Sequence, residues 1–403
     1  MSAVQSFGND RLSIPGPQMG VTGVALAATA GLAVAIGLTQ SVNQAALFLT
    51  GAALGLVLYH ATFGFTSAFR VLLADGQSAG LRAQLLMLAI ACVLFFPVLD
   101  AGTLFGQKVT GNVSPAGTSV VVGAFLFGIG MQAGGGCASG TLFAVGGGGV
   151  RMVVTLAFFI VGSVIGLAHN AWWQAMPSLP PISMVKSFGW QGALALNLAV
   201  FAAIWLLVAW IEKKRHGLVD SIFSGGRSAL LGPWPLAAGA LALALLNFLT
   251  LYLAGRPWGV TSAFGLWGGK ILAMAGVPVN TWSFWSAPAA QRAIETSVLA
   301  DITSVMNFGI MLGALAAAGL AHKFAPVWNI PMKHLVASVL GGLLLGYGAR
   351  LAYGCNIGAF FSGIASGSLH GWLWIVCCMA GNLVGVRLRP LFDLPVERKL
   401  TAC

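Results

Sequence analysis

Charged side chains are scarce in this sequence. Only 7% of its 403 residues are Asp, Glu, Lys or Arg, whereas a typical soluble domain carries about 25%. Hydrophobic residues make up 58% of the chain, and a soluble fold could not bury that much apolar surface. Apolar stretches such as 19–39, 152–173 and 191–211 approach the roughly 20 residues that a helix needs to cross a bilayer. The sequence therefore predicts an all-α integral membrane protein that is embedded in a lipid bilayer.

Acidic residues are scarcer than basic ones, with 9 Asp and Glu against 20 Lys and Arg and a net charge of +11. A basic balance can indicate nucleic-acid binding, but here the basic residues are scattered and many flank apolar segments. The preference of Lys and Arg for the cytoplasmic side of a membrane explains them more simply. We expect no nucleic-acid partner.

The chain also lacks the marks of a secreted or metal-binding protein. Residues 1–18 do not combine a basic segment, a short apolar segment and a cleavage site, so we predict no cleavable signal peptide. The six cysteines follow neither a disulfide framework nor zinc spacing, and His60 has no second metal ligand beside it. We expect free thiols, no metal and no cofactor.

Two pairs of similar stretches recur along the chain. FGIGMQAGGGCASGTLF at 127–143 aligns without a gap to LGYGARLAYGCNIGAFF at 345–361. GFTSAFR at 64–70 likewise aligns to GVTSAFG at 259–265. Because both pairs occur in the same order, we infer a duplicated unit with two signature loops in each copy.

The charged stretch 212–227 is predicted to be a linker between an N-terminal half, 1–211, and a C-terminal half, 228–403. Each half contains one repeat, at 44–173 and at 233–388. The predicted helices are 44–60, 81–99, 118–134 and 151–173 in the first repeat, 233–254, 294–320, 333–352 and 369–388 in the second, and 20–39 and 191–211 outside them. Because the extra helix before the linker inverts the second repeat, we predict a polytopic helical bundle of two inverted repeats. It has about 10 spanning helices, with re-entrant loops and short half-helices.

The basic residues also predict the orientation. A cytoplasmic linker places most of the 20 Lys and Arg on the cytoplasmic side. Both termini are then cytoplasmic in a multi-pass protein of the inner, or plasma, membrane. The signature loops of the two halves enter from opposite sides, so both pairs can reach the midplane.

The signature loops are the candidate binding site. Residues 133–140, AGGGCASG, are too small and flexible to continue a helix, and Ser139 or Thr141 can cap a new one. Broken backbone at membrane depth is tolerated only where it is buried in protein or lines a cavity. The free N–H groups and positive dipole end of the short helix that follows form an anion site. The candidate residues in the two equivalent loops, besides their cysteines, are Gly136 and Ser139 in the first and Gly354 and Asn356 in the second.

Cys137 and Cys355 occupy equivalent places in these loops. A thiol there can donate a weak hydrogen bond or, when ionised, act as a nucleophile, and either property suits a soft, sulfur-bearing ligand. Cys92, Cys377 and Cys378 lie within continuous apolar segments, and we interpret them as packing residues.

Several other polar residues have two open interpretations. The hydroxyls of Thr66, Ser67, Thr261 and Ser262 can donate to a ligand or cap the helices that follow. The basic residues near the loops can attract an anion or extend to the membrane interface; they are Arg70, Arg256, Lys270 and Arg350. Glu295 and Asp301 can carry a coupling proton or stabilise the start of a helix, and we favour the second role.

Through GMQAGGGCASG, YGARLAYGCNIG, FGFTSAFR and RPWGVTSAFGLWGGK, the chain resembles the YeeE/YedE family of sulfur-transport membrane proteins. The resemblance covers roughly 45–175 and 233–388. It implies an inverted-repeat helical fold, uptake of thiosulfate or a related compound, loop cysteines in contact with the substrate, and a small cytoplasmic sulfur-carrier partner of the TusA type. Cys137 and Cys355 match the family's cysteine positions. Some members have another cysteine in the first loop, where this chain has Gly64.

The sequence therefore predicts a transporter for a small sulfur-containing anion, most directly thiosulfate. The nearest alternative is the same fold carrying another sulfur or selenium species. A membrane thiol sulfurtransferase is a further alternative, but no base lies near either loop cysteine in the sequence, so we assign no catalytic residues.

Overall fold

The computed structural model describes residues 16–226, 228 and 230–396, and most of them are helical. Up to the linker the helices are α1 Met19–Thr39, α2 Val42–His60, α3 Phe65–Asp75, α4 Ala79–Ala101, α5 Thr118–Gly134, α6 Ala138–Gly146, α7 Val150–Ala168, α8 Asn170–Gln174 and α9 Met184–His216. After it come α10 Leu236–Ala254, α11 Ser262–Met274, α12 Pro288–Glu295, α13 Ile302–Leu320, α14 Met332–Leu351, α15 Ser362–Ala365 and α16 Leu369–Leu388. A π-helical segment, Asn356–Phe361, precedes α15, and short 3-10 turns occur at Val279–Thr281, Val298–Ala300 and Arg389–Phe392. Two short antiparallel ribbons pair β1 Thr103–Leu104 with β2 Gln107–Lys108 and β3 Ala116–Gly117 with β4 Ser178–Leu179.

The all-α membrane class is confirmed. Within the described residues, ten helical stretches are long and apolar enough to cross a membrane. A short helix follows each signature loop, as expected: α3, α6 and α11 follow three of them, and the π-helical segment with α15 follows the fourth. Broken spans of this kind let the backbone polar groups at a break face the protein interior rather than lipid.

One predicted helix begins later than expected. The predicted helix 294–320 begins at Ile302, and Glu295 instead ends the separate helix α12. Thr296 has extended backbone, with ψ of 167°, so the chain breaks between the two helices. Asp301 caps α13, because its Oδ2 accepts a hydrogen bond from Ser304 N at 2.7 Å. The helix-start role is therefore confirmed for Asp301 and wrong for Glu295.

One end of the bundle, which we call the linker face, contains the linker together with the ends of several helices. Trp234 N donates to His60 O at 2.7 Å, which joins the start of α10 to the end of α2. Gln18 N donates to Gly319 O at 2.8 Å, which joins the start of α1 to the end of α13. Because α13 packs along α2 in the same direction, all these ends share one face. The termini that we predict to be cytoplasmic, 1–15 and 397–403, and Arg227 of the linker lie outside the described residues.

Equivalent helices of the two repeats run in opposite directions. α2 ends at the linker face, whereas its equivalent α10 begins there. In the same way α13 ends at this face, whereas its equivalent α4 begins beside Glu212, near the end of α9. This arrangement is the inverted repeat that the sequence predicts. The division of the chain at 212–227 stays a prediction.

Glycines let helices of the two halves pack backbone to backbone. Along α2 and α13, a Cβ added at any of four glycines would strike a carbonyl oxygen of the facing helix. These glycines and the residues whose oxygens they face are Gly51 with Met306, Gly55 with Ile310, Gly309 with Phe48, and Gly313 with Ala52. The pairs α7 with α14 and α5 with α16 use glycines in the same way. Small residues four apart let helix backbones approach closely, and here they lie where the two halves meet.

A buried ion pair attaches the extra helix α9 to the start of α4. Arg82 Nη2 lies 3.2 Å from Glu212 Oε2, and the Glu212 side chain is 1% exposed. Ser78 Oγ also donates to that carboxylate oxygen. The Arg82 guanidinium lies 5.6 Å from the centre of the Trp205 ring, so both polar and aromatic groups of α9 hold it.

Candidate functional site

The Cys137 thiol begins the half-helix α6. After α5 ends, Gly135 turns the chain with a φ of +91°, which glycine adopts without a steric penalty. Cys137 Sγ then accepts a hydrogen bond from Gly140 N at 3.4 Å and lies 3.4 Å from Ser139 Oγ. Thr141 Oγ1 donates back to Cys137 O at 2.8 Å. The sequence interpretation of Ser139 or Thr141 as the cap is therefore wrong, because the sulfur takes that role.

Gly136 leaves little space for a side chain. A Cβ there would lie 3.1 Å from both Thr141 N and Met152 Cε. The loop backbone therefore packs directly on the first turn of α6. This contact keeps the N–H groups of that turn close to the loop.

The second cysteine loop repeats this geometry with a tighter turn. Gly354 has a φ of +149°, and a Cβ there would lie 2.9 Å from Ala359 N. Cys355 Sγ accepts a hydrogen bond from Ile357 N at 3.4 Å, so this thiol also caps the helical segment that follows. Asn356 is completely buried, and neither of its side-chain amide atoms has a hydrogen-bond partner. A buried amide without a partner within the protein is unusual, and both of its polar atoms can form hydrogen bonds with a ligand.

None of the four predicted hydroxyls caps a helix through its side chain. Gly64 occupies the cap position of α3, and Ser67 Oγ donates to its carbonyl at 3.1 Å. Thr66 Oγ1 is buried without a partner. In the second half, Thr261 makes no capping hydrogen bond, and Ser262 Oγ donates to the Thr303 hydroxyl at 2.9 Å. The capping alternative is therefore wrong, and the ligand role of these residues stays a prediction.

The two cysteine loops enter the bundle from opposite faces and lie near each other. α6 ends at the linker face, where a Cβ on Gly147 would lie 2.6 Å from the Tyr59 ring. α15 ends at the other face, where Ser368 pairs with Ser183. Each half-helix therefore points its N-terminus inward, and α6 contacts the π-helical segment that follows Cys355.

Aromatic rings fill the space between the two halves. Phe360 of the π-helical segment contacts Phe65 and Phe69 of α3, each at 6.5 Å between ring centres, and stacks on Trp374 at 6.4 Å. Both loop thiols are at most 1% exposed. The structure therefore places the thiols within a closed, water-poor centre.

A cavity of about 410 Å³ opens on the face opposite the linker. It reaches Thr261, Ser262 and Gly354 of the predicted site. Its lining includes Gly354 and Gly358, which stand on either side of Cys355 in the sequence, but not Cys355 itself. Sequence analysis missed several of its polar lining residues, because they belong to no motif or periodic pattern. Asn112 and Ser114 lie in a loop, and Asn170 and Gln174 are the two ends of the short helix α8.

Two arginines make this cavity positive. Arg256 Nη2 donates to Thr303 Oγ1 at 3.2 Å, and Arg350 Nε is buried without a partner. In the described part of the chain, neither guanidinium forms an ion pair with a carboxylate. Trp258 also lines the cavity, and its indole N–H has no partner. The cavity can therefore attract an anion and offer it unused donors.

The other two basic residues near the loops have partners within the protein. Arg70 Nη1 donates to Gln132 Oε1 at 3.4 Å. Lys270 Nζ donates to the carbonyl oxygens of Ile294 and Thr296, at 2.6 and 2.5 Å. Neither residue lines the cavity.

The two loop thiols form hydrogen bonds with backbone and hydroxyl groups. The partners of Cys137 are Ser139 and Gly140, and the partner of Cys355 is Ile357. Among the described residues, no His or carboxylate forms a hydrogen bond with either thiol. These residues also contain no group of three or more His, Cys, Asp or Glu that could hold a metal ion.

Comparison with known proteins agrees with this chemistry. A family described as sulphur transport matches residues 60–384. The probable transporter YedE of Salmonella typhimurium is 34% identical over 166 residues, which cover 41% of this chain and 40% of that protein. The thiosulfate transporter TsuA of Spirochaeta thermophila is 29% identical over 354 residues, covering 83% of this chain and 95% of that protein. TsuA of Escherichia coli is 24% identical, covering 83% and 91%. The match to YedE thus spans less than half of that relative's length.

Proposed function

Because this chain belongs to the sulphur transport family, we propose that it carries a small sulfur-containing anion, most directly thiosulfate, across the membrane. The observation that carries the proposal is the positive cavity that ends at the Cys355 loop. The two relatives that match over most of their length are named thiosulfate transporters. The resemblance of the loop motifs to the YeeE/YedE family points the same way.

Binding starts in the cavity. Arg256 and Arg350 attract the anion, and their guanidinium groups can each donate two hydrogen bonds to an oxyanion. The attraction is strong because the cavity is walled by protein and membrane, where charges are less screened than in water. Thr261 and Ser262 lie on the same wall and add hydroxyl donors.

Passage through the centre uses backbone groups and thiols. The first turns of α6 and of the π-helical segment present N–H groups and positive dipole ends toward the ligand. Cys137 and Cys355 add polarizable sulfur beside these donors, which suits the terminal sulfur of thiosulfate. Asn356 and Thr66 supply the buried polar groups that lack partners within the protein. A ligand can replace its water shell with these groups as it crosses.

We propose that the linker face is cytoplasmic and that the cavity faces the outside of the inner membrane. Lys213, Lys214 and Arg215 end α9 at the linker face, as the preference of basic residues for the cytoplasm predicts. Transport from the cavity to the linker face is then uptake. The resemblance further suggests that a small cytoplasmic sulfur carrier of the TusA type receives the sulfur.

We propose that the protein is not an enzyme. A sulfurtransferase would need an activated thiolate, and in the described part of the chain neither loop thiol forms a hydrogen bond with a His, Lys or carboxylate side chain. The alternative substrate of the same cavity and loops is another sulfur or selenium oxyanion. An assay in which such anions compete with labelled thiosulfate distinguishes these substrates.

The test is uptake of labelled thiosulfate by proteoliposomes that contain only this protein. We expect saturable uptake that unlabelled thiosulfate inhibits more strongly than sulfate, sulfite or selenite. Cys137→Ala and Cys355→Ala should each weaken transport by roughly 10 to 150-fold, the effect of losing a hydrogen bond of about 1.5 to 3 kcal/mol to a charged ligand. Cys377→Ala is the matched control, because Cys377 is partly exposed on the outer side of α16.

The outcomes separate the parts of the proposal. Absence of uptake by the parental protein would refute transport without a partner. If selenite or sulfite competes better than thiosulfate, the substrate assignment is wrong. If both loop variants transport like Cys377→Ala at matched thermal stability, the loop thiols only fill space.

A further inference from the structure

Three buried residues form a closed ring of hydrogen bonds at the cavity that opens opposite the linker face. Trp258 N donates to Asn247 Oδ1 at 2.8 Å, and Ser362 Oγ donates to Trp258 O at 2.7 Å. Asn247 Nδ2 donates to Ser362 Oγ at 3.3 Å, which closes the ring. Each of the three residues is at most 1% exposed. Side chains from two other elements therefore hold both backbone polar groups of Trp258.

The ring joins parts of the second half that border the cavity. Asn247 lies within the spanning helix α10, and Trp258 lies in the loop between α10 and α11. Ser362 begins α15, directly after the π-helical segment that the Cys355 thiol caps. Buried hydrogen bonds that are all formed make such a network rigid. The position of Trp258 is thus fixed relative to the half-helix of the Cys355 loop.

The first half has apolar residues where the second half has this ring. The aligned stretches of the two halves, extended without a gap, pair Ala52 with Asn247, Phe63 with Trp258 and Ala144 with Ser362. Phe63 is buried as Trp258 is, so packing at this position needs an aromatic ring but no polar group. The indole N–H is therefore an addition of the half whose signature loop lines the cavity.

This indole N–H has no acceptor in the described part of the chain. Trp258 lines the cavity together with Arg256 and Arg350, and its Nε1 is buried without a hydrogen-bond partner. A buried donor without an acceptor is unfavourable, and phenylalanine would avoid that cost. An anion oxygen at the inner end of the cavity would supply the acceptor, next to the two guanidinium groups that attract it.

We propose that Trp258 is a substrate-contacting residue, whose indole N–H donates a hydrogen bond to an oxygen of the bound anion. The inference rests on the proposed transport of a small sulfur-containing anion, and it restricts the substrate class to anions that carry oxygen, as thiosulfate does. Asn247 and Ser362 are positioning residues, because they hold the backbone of Trp258 and act on the anion only through it.

The test of the contact is thiosulfate binding to the purified full-length protein in detergent, measured by isothermal titration calorimetry. Trp258→Phe keeps an aromatic ring and removes the N–H. Trp285→Phe is the matched control, because Trp285 is also buried with an unpartnered indole N–H but does not line the cavity. We expect Trp258→Phe to raise the Kd at least about tenfold, the effect of losing one hydrogen bond to a charged ligand, and Trp285→Phe to keep the parental Kd. Equal Kd values for the two variants would overturn the proposal.

A double-mutant cycle tests the positioning role. Asn247→Ala should raise the Kd about tenfold in the parental protein but less than about twofold in the Trp258→Phe background, because its effect passes through the indole N–H. A general loss of structure would weaken binding equally in both backgrounds, and that result would refute the positioning role. Ser362→Ala provides the same cycle if Asn247→Ala does not give folded, monodisperse protein.

Uptake by proteoliposomes provides the second readout. We expect Trp258→Phe to raise the KM for labelled thiosulfate about tenfold, while Trp285→Phe keeps the parental KM. If the parental protein neither binds nor transports thiosulfate, the proposed function fails and this contact fails with it. If the parental protein does both and Trp258→Phe matches it in Kd and KM, the contact alone is refuted.

Discussion

The glycine interface between α2 and α13 gives the most direct test of how the halves are joined. In α13, a Cβ at Gly313 would meet the carbonyl oxygen of Ala52, and a Cβ at Gly309 would meet that of Phe48. Both obstacles are backbone atoms, so no side chain can rotate away to make space. Replacing Gly313 by alanine must therefore push two helices apart along their contact.

The expected cost follows from this geometry. Adding a methyl group to a closely packed interface typically costs about 1–3 kcal/mol. At an exposed helical site the same change is favourable by roughly 0.5–1 kcal/mol, because alanine restricts the unfolded chain. Gly31 of α1 is such a site, with no atom within 4 Å of an added Cβ. Gly313→Ala and Gly31→Ala should therefore change stability in opposite directions.

The assay is thermal unfolding of the purified protein in detergent, followed by size-exclusion chromatography. For a chain of this length, roughly 1–2 °C per kcal/mol is a reasonable scale, so Gly313→Ala should lower the apparent Tm by a few degrees. The double variant Gly309→Ala/Gly313→Ala should lower it less than the sum, because the first substitution already separates the helices. An apparent Tm for Gly313→Ala equal to that of Gly31→Ala would refute the backbone-contact argument.

Three further predictions concern a buried ion pair, anion binding and orientation. Glu212→Gln leaves Arg82 buried without its counter-charge and should lower the stability by about 3–5 kcal/mol. Asp393→Asn is the control, because the side chains of its ion pair with Lys333 are 61% and 64% exposed, and it should cost about 1 kcal/mol or less. Equal Tm values for the two variants would contradict this expectation. Arg350→Gln should raise the KM for thiosulfate about tenfold, as expected for the loss of one charged hydrogen bond. Lys186 is exposed near the same face, so Lys186→Gln is the control and should keep the parental KM. Equal KM values for the two variants would exclude Arg350 from binding. A cysteine placed at the exposed Ser221 should react with a membrane-impermeant label only after the cytoplasmic side is opened, and labelling from the periplasm would reverse the proposed orientation.

The sequence predicts the spanning helices well because their signal is long. An apolar stretch of about 20 residues has one stable state in a bilayer, so its bounds follow from composition. The region 275–301 lacks that signal. Its helix α12 has only eight residues, and its position depends on packing of Trp285 and its neighbours. The predicted helix 294–320 is wrong at its start for this reason.

The loop thiols could be located from sequence, but their geometry could not. Repeated glycines mark where the helices break, because glycine favours the positive φ found at Gly135 and Gly354. Nothing in the sequence indicates that the sulfur of Cys137 caps α6 in place of the Ser139 hydroxyl.

The equivalence of Gln132 and Arg350 has a consequence for direction. Two identical inverted halves would present an anion with the same electrical profile from either side. Here the equivalent position carries a neutral amide in α5 and a guanidinium in α14, and Ala138 is replaced by Asn356 in the same way. The positive charge beside Gln132 comes instead from other segments, because Arg70 and Arg389 both donate hydrogen bonds to that residue. The two halves therefore present an anion with different donors, and binding from the cavity side should differ in affinity from binding from the linker face, although at equilibrium neither direction of transport is favoured.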